Sequence, residues 1–503
     1  MNWKELQKDS PELLTLLDYD ISAYVKQARW YAGKASPDKS FLVDHLLPID
    51  CNGQRFFLLI VEVVYAAGFV HNYLLPLSLE EELRSEMKAG LISKVDGQYL
   101  VDAVYSSAFR TCLYQLMKQQ EELKLNNGFL EIIRSHDFSA LPENANPSSR
   151  VLLVEQSNTS IIYEEAYFFK LYRRLSRDRN PDIGMAFQLS EESDFKNIPA
   201  FAASIHWYRA GVYDISLGLL QNKVENQGDA WKWANDELHG VFDRLKAHAE
   251  FENRVPKLEL FDRWSRAGIP EELQSIFGST LLDGLHLMGE RTAEMHIAVS
   301  DQTVNKLFIK ETYNSDYSVW LKNRIVYQFE ARYALLDKQI EKLEGFAHDY
   351  ASFFLENKTR IKNEIYSFDD SDLSGQRIRL HGDYHLGQVL ISGADFFILD
   401  FEGEPEATIH DRKVKQSPLK DVAGMIRSFH YALYSTIFSF GLPAPERRKL
   451  FPSAETLFNW MVAVYLDAYL HKIMASHLNI GYEKEIRYLL SYHMLEKAIY
   501  ELG

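Results

Sequence analysis

The stretch His381-Gly-Asp-Tyr-His-Leu-Gly-Gln-Val-Leu390, followed by Phe396-Phe-Ile-Leu-Asp-Phe-Glu402, decides how the rest of the chain is read. Asp383 and Asp400 stand seventeen residues apart, each beside a run of β-strand character, and Gln388 follows the first aspartate by five positions. A carboxylate on a tight loop can accept the proton of an attacking hydroxyl, the role expected of Asp383. Gln388 and Asp400 offer side-chain oxygens to a hard cation, and Mg²⁺ bridging the phosphates of ATP is the cation this inventory suits.

In protein kinases the corresponding loop also spaces its Asp and Asn by five residues, with a strand-end Asp beyond; here the spacing matches and the local letters do not. Two other readings compete. A lone strand-end aspartate is ordinarily a cap or a surface group. His381, Asp383 and His385 alternate, as metal ligands on one face of a metallohydrolase strand would. Gly382 and Gly387 break such a strand and suit a tight loop instead, and no further ligand cluster at metal spacing occurs in the sequence.

The chain has 503 residues, more than one ordinary core, so two or three lobes are expected. Apolar residues make up 46% and charged residues 25%, the profile of a soluble globular protein. With 55 basic against 71 acidic side chains the net charge is −16, and no basic stripe compensates, so nucleic acid and membrane are excluded as expected partners. Cys51 and Cys112 are too few for a disulfide framework, the N-terminus is polar, and the apolar run Phe56–Val70 is short and interrupted by Glu62. A cytoplasmic location is expected.

Residues 1–40 read as helical, with Ser10-Pro11-Glu12 as a start and a buried face at positions 13, 14, 16, 17 and 21. Strands follow around Phe41, Phe56–Val64 and Tyr73–Leu77, with turns at Asn52-Gly53 and Ala67-Gly68. Ala103–Leu125 reads as a helix, and Glu143–Ser149 as a polar boundary. Short strands resume from Arg150 to Leu220, with a helix after Asn180-Pro-Asp. From about 225 the pattern is helical, including Arg291–Ser300, Lys322–Leu343 and Val462–Ser476, apart from the stretch 378–402. A β-rich lobe ahead of a helical lobe that carries the catalytic loop is a kinase-like order of parts.

Such an order requires a phosphate-covering loop and a lysine. Gln156-Ser-Asn-Thr-Ser160 lies between two strands and offers turn donors, although it lacks a Gly-x-Gly-x-x-Gly pattern. Lys170, on an otherwise apolar strand, needs an anion to offset its desolvation unless it snorkels out at the edge. Asp182 is the acidic residue near the start of the next helix.

With these residues assembled, the chain resembles the bacterial maltokinases, relatives of the aminoglycoside phosphotransferases. Further segments carry the resemblance: Gln27–Lys34, Lys170-Leu-Tyr-Arg-Arg-Leu, Gly228-Asp-Ala-Trp231, Gly289–His296, Asp400-Phe-Glu-Gly-Glu-Pro405 and Ser417–Phe429. It implies an α+β, bilobal protein-kinase-like fold. The expected parts are an N-terminal cap subdomain over 1–105, a nucleotide-binding intermediate subdomain over 106–222, and a helical C-lobe over 223–503. It also implies Asp383 as catalytic base, Gln388 and Asp400 as Mg²⁺ ligands, and Ser157, Asn158, Thr159, Ser160 and Lys170 on the phosphates. Gln221 and Val224 would lie on the adenine hinge.

The implied reaction is ATP-dependent phosphorylation of maltose to maltose 1-phosphate, feeding glycogen or α-glucan synthesis, with association with trehalose synthase among the implied partners. His385, Glu402, Glu404, Arg427 and Tyr431 are the candidates for the sugar wall. For Arg427 the plain alternative is a pair with Asp421, and for Tyr431 a place in the core.

Two departures stand out. Gly184 occupies a position where relatives commonly carry the glutamate that pairs with the lysine, leaving Asp182 as the substitute. The chain also stops at Tyr500-Glu-Leu-Gly503 where relatives continue, so either the sequence is shortened or its last element is dispensable. The competing functions are a kinase for another sugar, such as glucosamine or an aminoglycoside, and a catalytically silent nucleotide-binding partner of a trehalose- or glycogen-pathway enzyme.

Overall fold

A computed structural model describes residues 2–502 apart from 36, 120, 126, 141–145, 153–156, 210, 212–213, 246–247, 249 and 303. The fold is α+β, with strands concentrated before residue 225 and helices after it. Two compact units result, Met1–Glu191 with Pro199–Val224, and Glu192–Ile198 with Glu225–Gly503.

The first unit holds two antiparallel sheets. One contains the strands Asp38–Cys51, Gln54–Tyr65, Val70–Glu80, Leu91–Val95 and Gln98–Asp102, joined by the short strand Arg174–Leu175 on Val70–Glu80. Its strand Gln54–Tyr65 reads as one apolar run because both faces are covered. Phe57, Leu59, Val61 and Val63 point into a core shared with Leu13, Leu16, Leu17, Ile21 and Val25 of the N-terminal helices. Phe56, Leu58 and Ile60 point the other way, onto the helix Ser107–Gln119 and the second sheet. Period-two alternation thus serves two cores at once.

The second sheet runs in the order Glu122–Leu125, Gly128–Arg134, Phe201–Tyr208, Ile215–Asn222, Tyr167–Leu171, Thr159–Tyr163 and Ser149–Leu152. The helix Pro181–Glu191 begins where Asn180 Oδ1 accepts the amide of Asp182 at 2.9 Å, with proline at its first position.

Three expectations are corrected. Leu14 points to solvent, because the apolar stripe of a 3.6-residue period there runs through 13, 16, 17 and 21. The helix read over Ala103–Leu125 stops at Gln119, and Glu122–Leu125, whose residues alternate polar and apolar, pairs instead with Gly128–Arg134. The Glu143–Ser149 boundary falls partly outside the described residues. Its end, Ser149, already belongs to the second sheet and accepts a bond from Arg110 Nε at 2.9 Å, so the first unit continues through it.

The second unit is built on the helices Ala230–Leu245, Ser279–Ser300, Leu419–Ser439, Ala444–Met474 and Glu483–Tyr500, the first two of which pack on the strand pair Val389–Ser392 and Asp395–Ile398. Gly289 permits the close approach of Ser279–Ser300 to Ala444–Met474, since a Cβ there would clash with the Tyr465 carbonyl oxygen. The segment 192–198 belongs with this unit because Asn197 bonds the strand Asp395–Ile398 twice, accepting from Ile398 N at 2.8 Å and donating to Phe396 O at 2.9 Å. No helix among the described residues is long and apolar enough to cross a membrane.

Candidate functional site

In the first unit Lys170 sits on the strand Tyr167–Leu171, opposite Ser160 on one neighbour and Leu219 on the other. Phe169 and Leu171 point into the sheet's main core, so alternation sends Lys170 to the opposite face. There its Nζ lies 2.8 Å from Asp182 Oδ2, with side-chain exposures of 15% and 0%. The helix cap places Asp182 in the first turn, beside the positive end of the helix dipole. Tyr172 Oη also reaches Asp182, at 3.5 Å.

Ser157 is exposed, Asn158 half-buried, and Thr159 and Ser160 are buried within a strand; Gln156 lies outside the described residues. The Thr159 hydroxyl is not presented to solvent, because it accepts a bond from Arg173 Nε at 2.7 Å. Gln221 is buried with its side-chain amide donating to Pro199 O at 3.0 Å, and Val224 is the last residue of this unit.

The second unit builds the Asp383 loop from several anchors. Asp421, buried on the helix Leu419–Ser439, accepts the amides of His381 at 2.9 Å and Gly382 at 3.0 Å. His296 Nε2 stands 3.3 Å from the same carboxylate. Burial alone would raise the Asp421 carboxyl, yet His296, His381 and the Gly382 amide together hold it below the usual carboxylate range. Ser428 Oγ accepts Leu386 N at 3.1 Å, and His381 Nε2 bonds Leu399 O at 2.7 Å.

Gly382 has φ +85°, and a Cβ on it would lie 3.1 Å from Gly403 Cα, so a larger residue would be strained and would press on the Gly403 loop. The alternating His381, Asp383 and His385 do not share a strand face. His381 is occupied by backbone at both ring nitrogens, receiving Asp383 N at Nδ1, 3.4 Å away. His385 Nδ1 accepts Gly387 N, and burial pushes its imidazole below the usual range, so it is neutral at neutral pH. A metallohydrolase arrangement of these three is therefore absent.

Asp383 lines a cleft with Gly382, Tyr384, Glu404, Lys420, Lys497 and Tyr500, among others. Its Oδ1 is 3.0 Å from Lys497 Nζ, and its Oδ2 lies 3.9 Å from His385 Nε2. The two neighbouring glutamates are each matched by a cation. Glu404 is paired with Arg324 and accepts Gln328 Nε2 at 2.9 Å. Glu496 is paired with Arg324, with Lys420 at 2.7 Å and with His493 at 2.9 Å. Burial would raise Glu496, but these partners hold it well below the carboxylate range. Burial, with the Arg324 charge nearby, brings the Lys420 ammonium down to about 8.

Gln388 Nε2 donates to Asp400 Oδ2 at 3.1 Å beside the strand pair. Asp400 has φ +64°, a left-handed conformation that few non-glycine residues adopt and that concentrates at functional sites. A carboxylate and an amide side by side, both half-exposed, form an oxygen-donor set that fits Mg²⁺.

Several expected wall residues lie elsewhere. Arg427 pairs with Glu501 at 2.8 Å rather than with Asp421, whose oxygens are taken by the loop. Tyr431 is 41% exposed under the Arg427 guanidinium, so it is not a core residue. Neither they nor Glu402 line the cleft among the described residues. The last helix, Glu483–Tyr500, supplies Glu496, Lys497 and Tyr500 to the cleft. Lys497, Glu496, Lys420, Arg324 and Gln328 were not singled out from the sequence, where they are ordinary helix charges and amides. Asp421 carried a signal, as a carboxylate directly before the apolar run Val422–Ile426.

Residues 24–105, which cover the first sheet's five long strands, match the maltokinase N-terminal cap domain. A glucosamine kinase from Streptacidiphilus jiangxiensis is 22% identical over 327 residues, a match covering 64% of this chain and 61% of that protein's length. Among solved structures, a glucosamine kinase in complex with glucosamine, ADP and inorganic phosphate aligns with a TM-score of 0.59 at 15% identity, covering 96% of this chain and 93% of the other. A second crystal form of glucosamine kinase gives 0.59 at 16% identity over 96% and 94%. The chain carries a maltokinase cap and the fold of the glucosamine kinases.

Proposed function

We propose that the protein is an ATP-dependent sugar kinase whose acceptor is a neutral sugar, maltose, phosphorylated at its anomeric hydroxyl to maltose 1-phosphate. The observation that carries this reading is the cleft around Asp383, in which Glu404, Glu496 and Asp383 each already face a cation. An acceptor bearing an ammonium would have to displace Arg324, Lys420 or Lys497 from its partner, at a cost in buried unpaired charge. A neutral sugar needs only hydroxyl partners, and Gln328 and Tyr500 add them. The cap over 24–105 supports maltose as well.

In the proposed step the acceptor oxygen forms a bond to the γ-phosphorus, the bond to the ADP oxygen breaks, and Asp383 takes the hydroxyl proton. Lys497 holds Oδ1, so Oδ2 is the oxygen left to receive it. Asp421 and Ser428 fix the loop so that Asp383 needs no rearrangement before reaction. Gln388 and Asp400 would hold Mg²⁺, which when bound supplies charge neutralisation on the phosphates. Lys170, oriented by Asp182, is the candidate for the α- and β-phosphates, and Ser157–Ser160 for the turn beside them.

The silent-partner reading drew on Gly184 and a missing lysine partner; Asp182 at 2.8 Å removes that motive. Association with trehalose synthase belongs to this proposal and is tested by co-purification. The deciding experiment compares ATP consumption with maltose, glucose, glucosamine and trehalose, then locates the phosphate on the product. Maltose-dependent turnover supports the reading. A preference for glucosamine overturns the acceptor, and turnover unaffected by any sugar overturns the kinase.

A further inference from the structure

The chain has two cysteines, sixty-one positions apart, and the fold brings them together. Cys51 ends the strand Asp38–Cys51 and pairs with Gln54 across a tight hairpin turn, where Asn52 and Gly53 carry φ of +50° and +80°. Cys112 lies on the helix Ser107–Gln119 and is 2% exposed. Gln115, one turn further along that helix, ties the hairpin tip down. Its Oε1 accepts a bond from Asn52 Nδ2 at 3.1 Å and lies 3.7 Å from Cys51 Sγ. Positions 112 and 115 share a helix face, so the contact that holds Cys51 at Gln115 also brings it to Cys112. Cys51 packs against the apolar core that contains Cys112, and the two thiols are hydrogen-bonded to each other.

The two sulfurs are unequal. Cys51 is half-buried beside the exposed turn residues, within reach of a small oxidant in solvent, whereas Cys112 is closed off by the core. The bond from Cys112 also lowers the Cys51 thiol below its usual range, while that same bond and burial push Cys112 up. The thiolate is the form that attacks, so the first step falls to Cys51 and the second to Cys112.

We propose that Cys51 and Cys112 form an oxidisable pair, with Cys51 the peroxide-reactive sulfur and Cys112 the resolving one, joined on oxidation in a reversible disulfide that pins the hairpin to the helix. The Cys51 sulfur attacks one oxygen of hydrogen peroxide, the O–O bond breaks, and water leaves with the sulfur oxidised to a sulfenic acid. The Cys112 sulfur then bonds the Cys51 sulfur, the S–O bond breaks, and a second water carries away the Cys112 proton. Two thiols and one peroxide thus become one disulfide and two waters. In a reducing compartment the resting form is the dithiol, and thiol exchange restores it. Neither sulfur lines the Asp383 cleft, so this chemistry does not depend on which sugar is phosphorylated.

The test treats the folded full chain with a slight excess of hydrogen peroxide, blocks remaining thiols with N-ethylmaleimide in denaturant, and reads intact mass and a peptide map. The expected result is a loss of two hydrogens, no added maleimide, and a peptide joining Cys51 to Cys112, all reversed by dithiothreitol. Cys112→Ser should leave a sulfenic acid on Cys51 that dimedone captures. Cys51→Ser should leave Cys112 at least about tenfold slower toward peroxide than Cys51 is in Cys112→Ser. Linkage between two molecules, linkage formed only in denaturant, or thiols still open to maleimide after peroxide overturns the proposal. Equal peroxide reactivity of the two single variants overturns the assigned order of the sulfurs.

Discussion

Asp421 is the residue on which the geometry of the Asp383 loop depends most, and its removal has a calculable cost. The carboxylate accepts two loop amides, at 2.9 and 3.0 Å, and faces His296 at 3.3 Å, all away from solvent. Asp421→Ala leaves both amides without a partner, at about 1–3 kcal/mol each, or about 2–6 kcal/mol together. Asp421→Asn keeps one acceptor oxygen but turns an NH₂ toward a donor, so about 1–3 kcal/mol is lost. Hydrogen exchange over residues 378–388 reads this locally. Exchange of the His381 and Gly382 amides should rise about 5- to 150-fold in Asp421→Asn, with turnover falling alongside.

The pH dependence has a definite sign. A carboxyl held below its usual range stabilises the loop above the unfolded value, near ~3.9, and loses that contribution as pH falls through the folded value. Wild-type protection should therefore fade on acidification below the ordinary carboxylate range, while Asp421→Asn, which cannot titrate, should lack that step. Unchanged exchange and turnover in both variants would refute the anchoring role.

Asp383→Asn keeps the shape but not the proton acceptor, so turnover should fall by roughly 10²–10⁴-fold with ADP affinity nearly intact; Asp400→Asn should weaken Mg²⁺-dependent ATP binding as well. Lys497→Met should raise the KM for the sugar by roughly tenfold while sparing ADP binding, as measured by calorimetry, because it removes a charge-assisted contact to Asp383. In the Lys170→Ala and Asp182→Ala cycle, each single should raise the KM for ATP and the double should be little worse; additive losses would show that the 2.8 Å pair carries no coupling.

How much of this could be read from the letters differs by element. The strand Gln54–Tyr65 was legible because double-sided burial leaves a continuous apolar run. The Asp383 loop was legible because glycines at 382 and 387 forbid a strand. Asp182 as the lysine's partner followed from Asn180-Pro181, which starts a helix and puts residue 182 in its first turn. Lys497 was invisible, since it meets Asp383 across more than a hundred residues and looks like any solvated lysine on a terminal helix. Arg427 misled for a related reason. It shares a helix with Asp421, but six residues is not a facing spacing; Asp421 points inward to the loop, and Glu501 reaches Arg427 from the end of another helix. The φ of +64° at Asp400 had no sequence sign either, as no glycine marks it.

The central claim, that Asp383 transfers the proton of a neutral sugar's anomeric hydroxyl as ATP phosphorylates it, is tested most directly by phosphorus NMR of the product. Wild-type protein and Asp383→Asn should each be incubated with ATP, Mg²⁺ and either maltose or glucosamine. The account predicts a sugar phosphate at C1 of maltose from the wild type, little product from glucosamine, and almost none from the variant. A faster reaction with glucosamine, or undiminished maltose phosphorylation by Asp383→Asn, would contradict it.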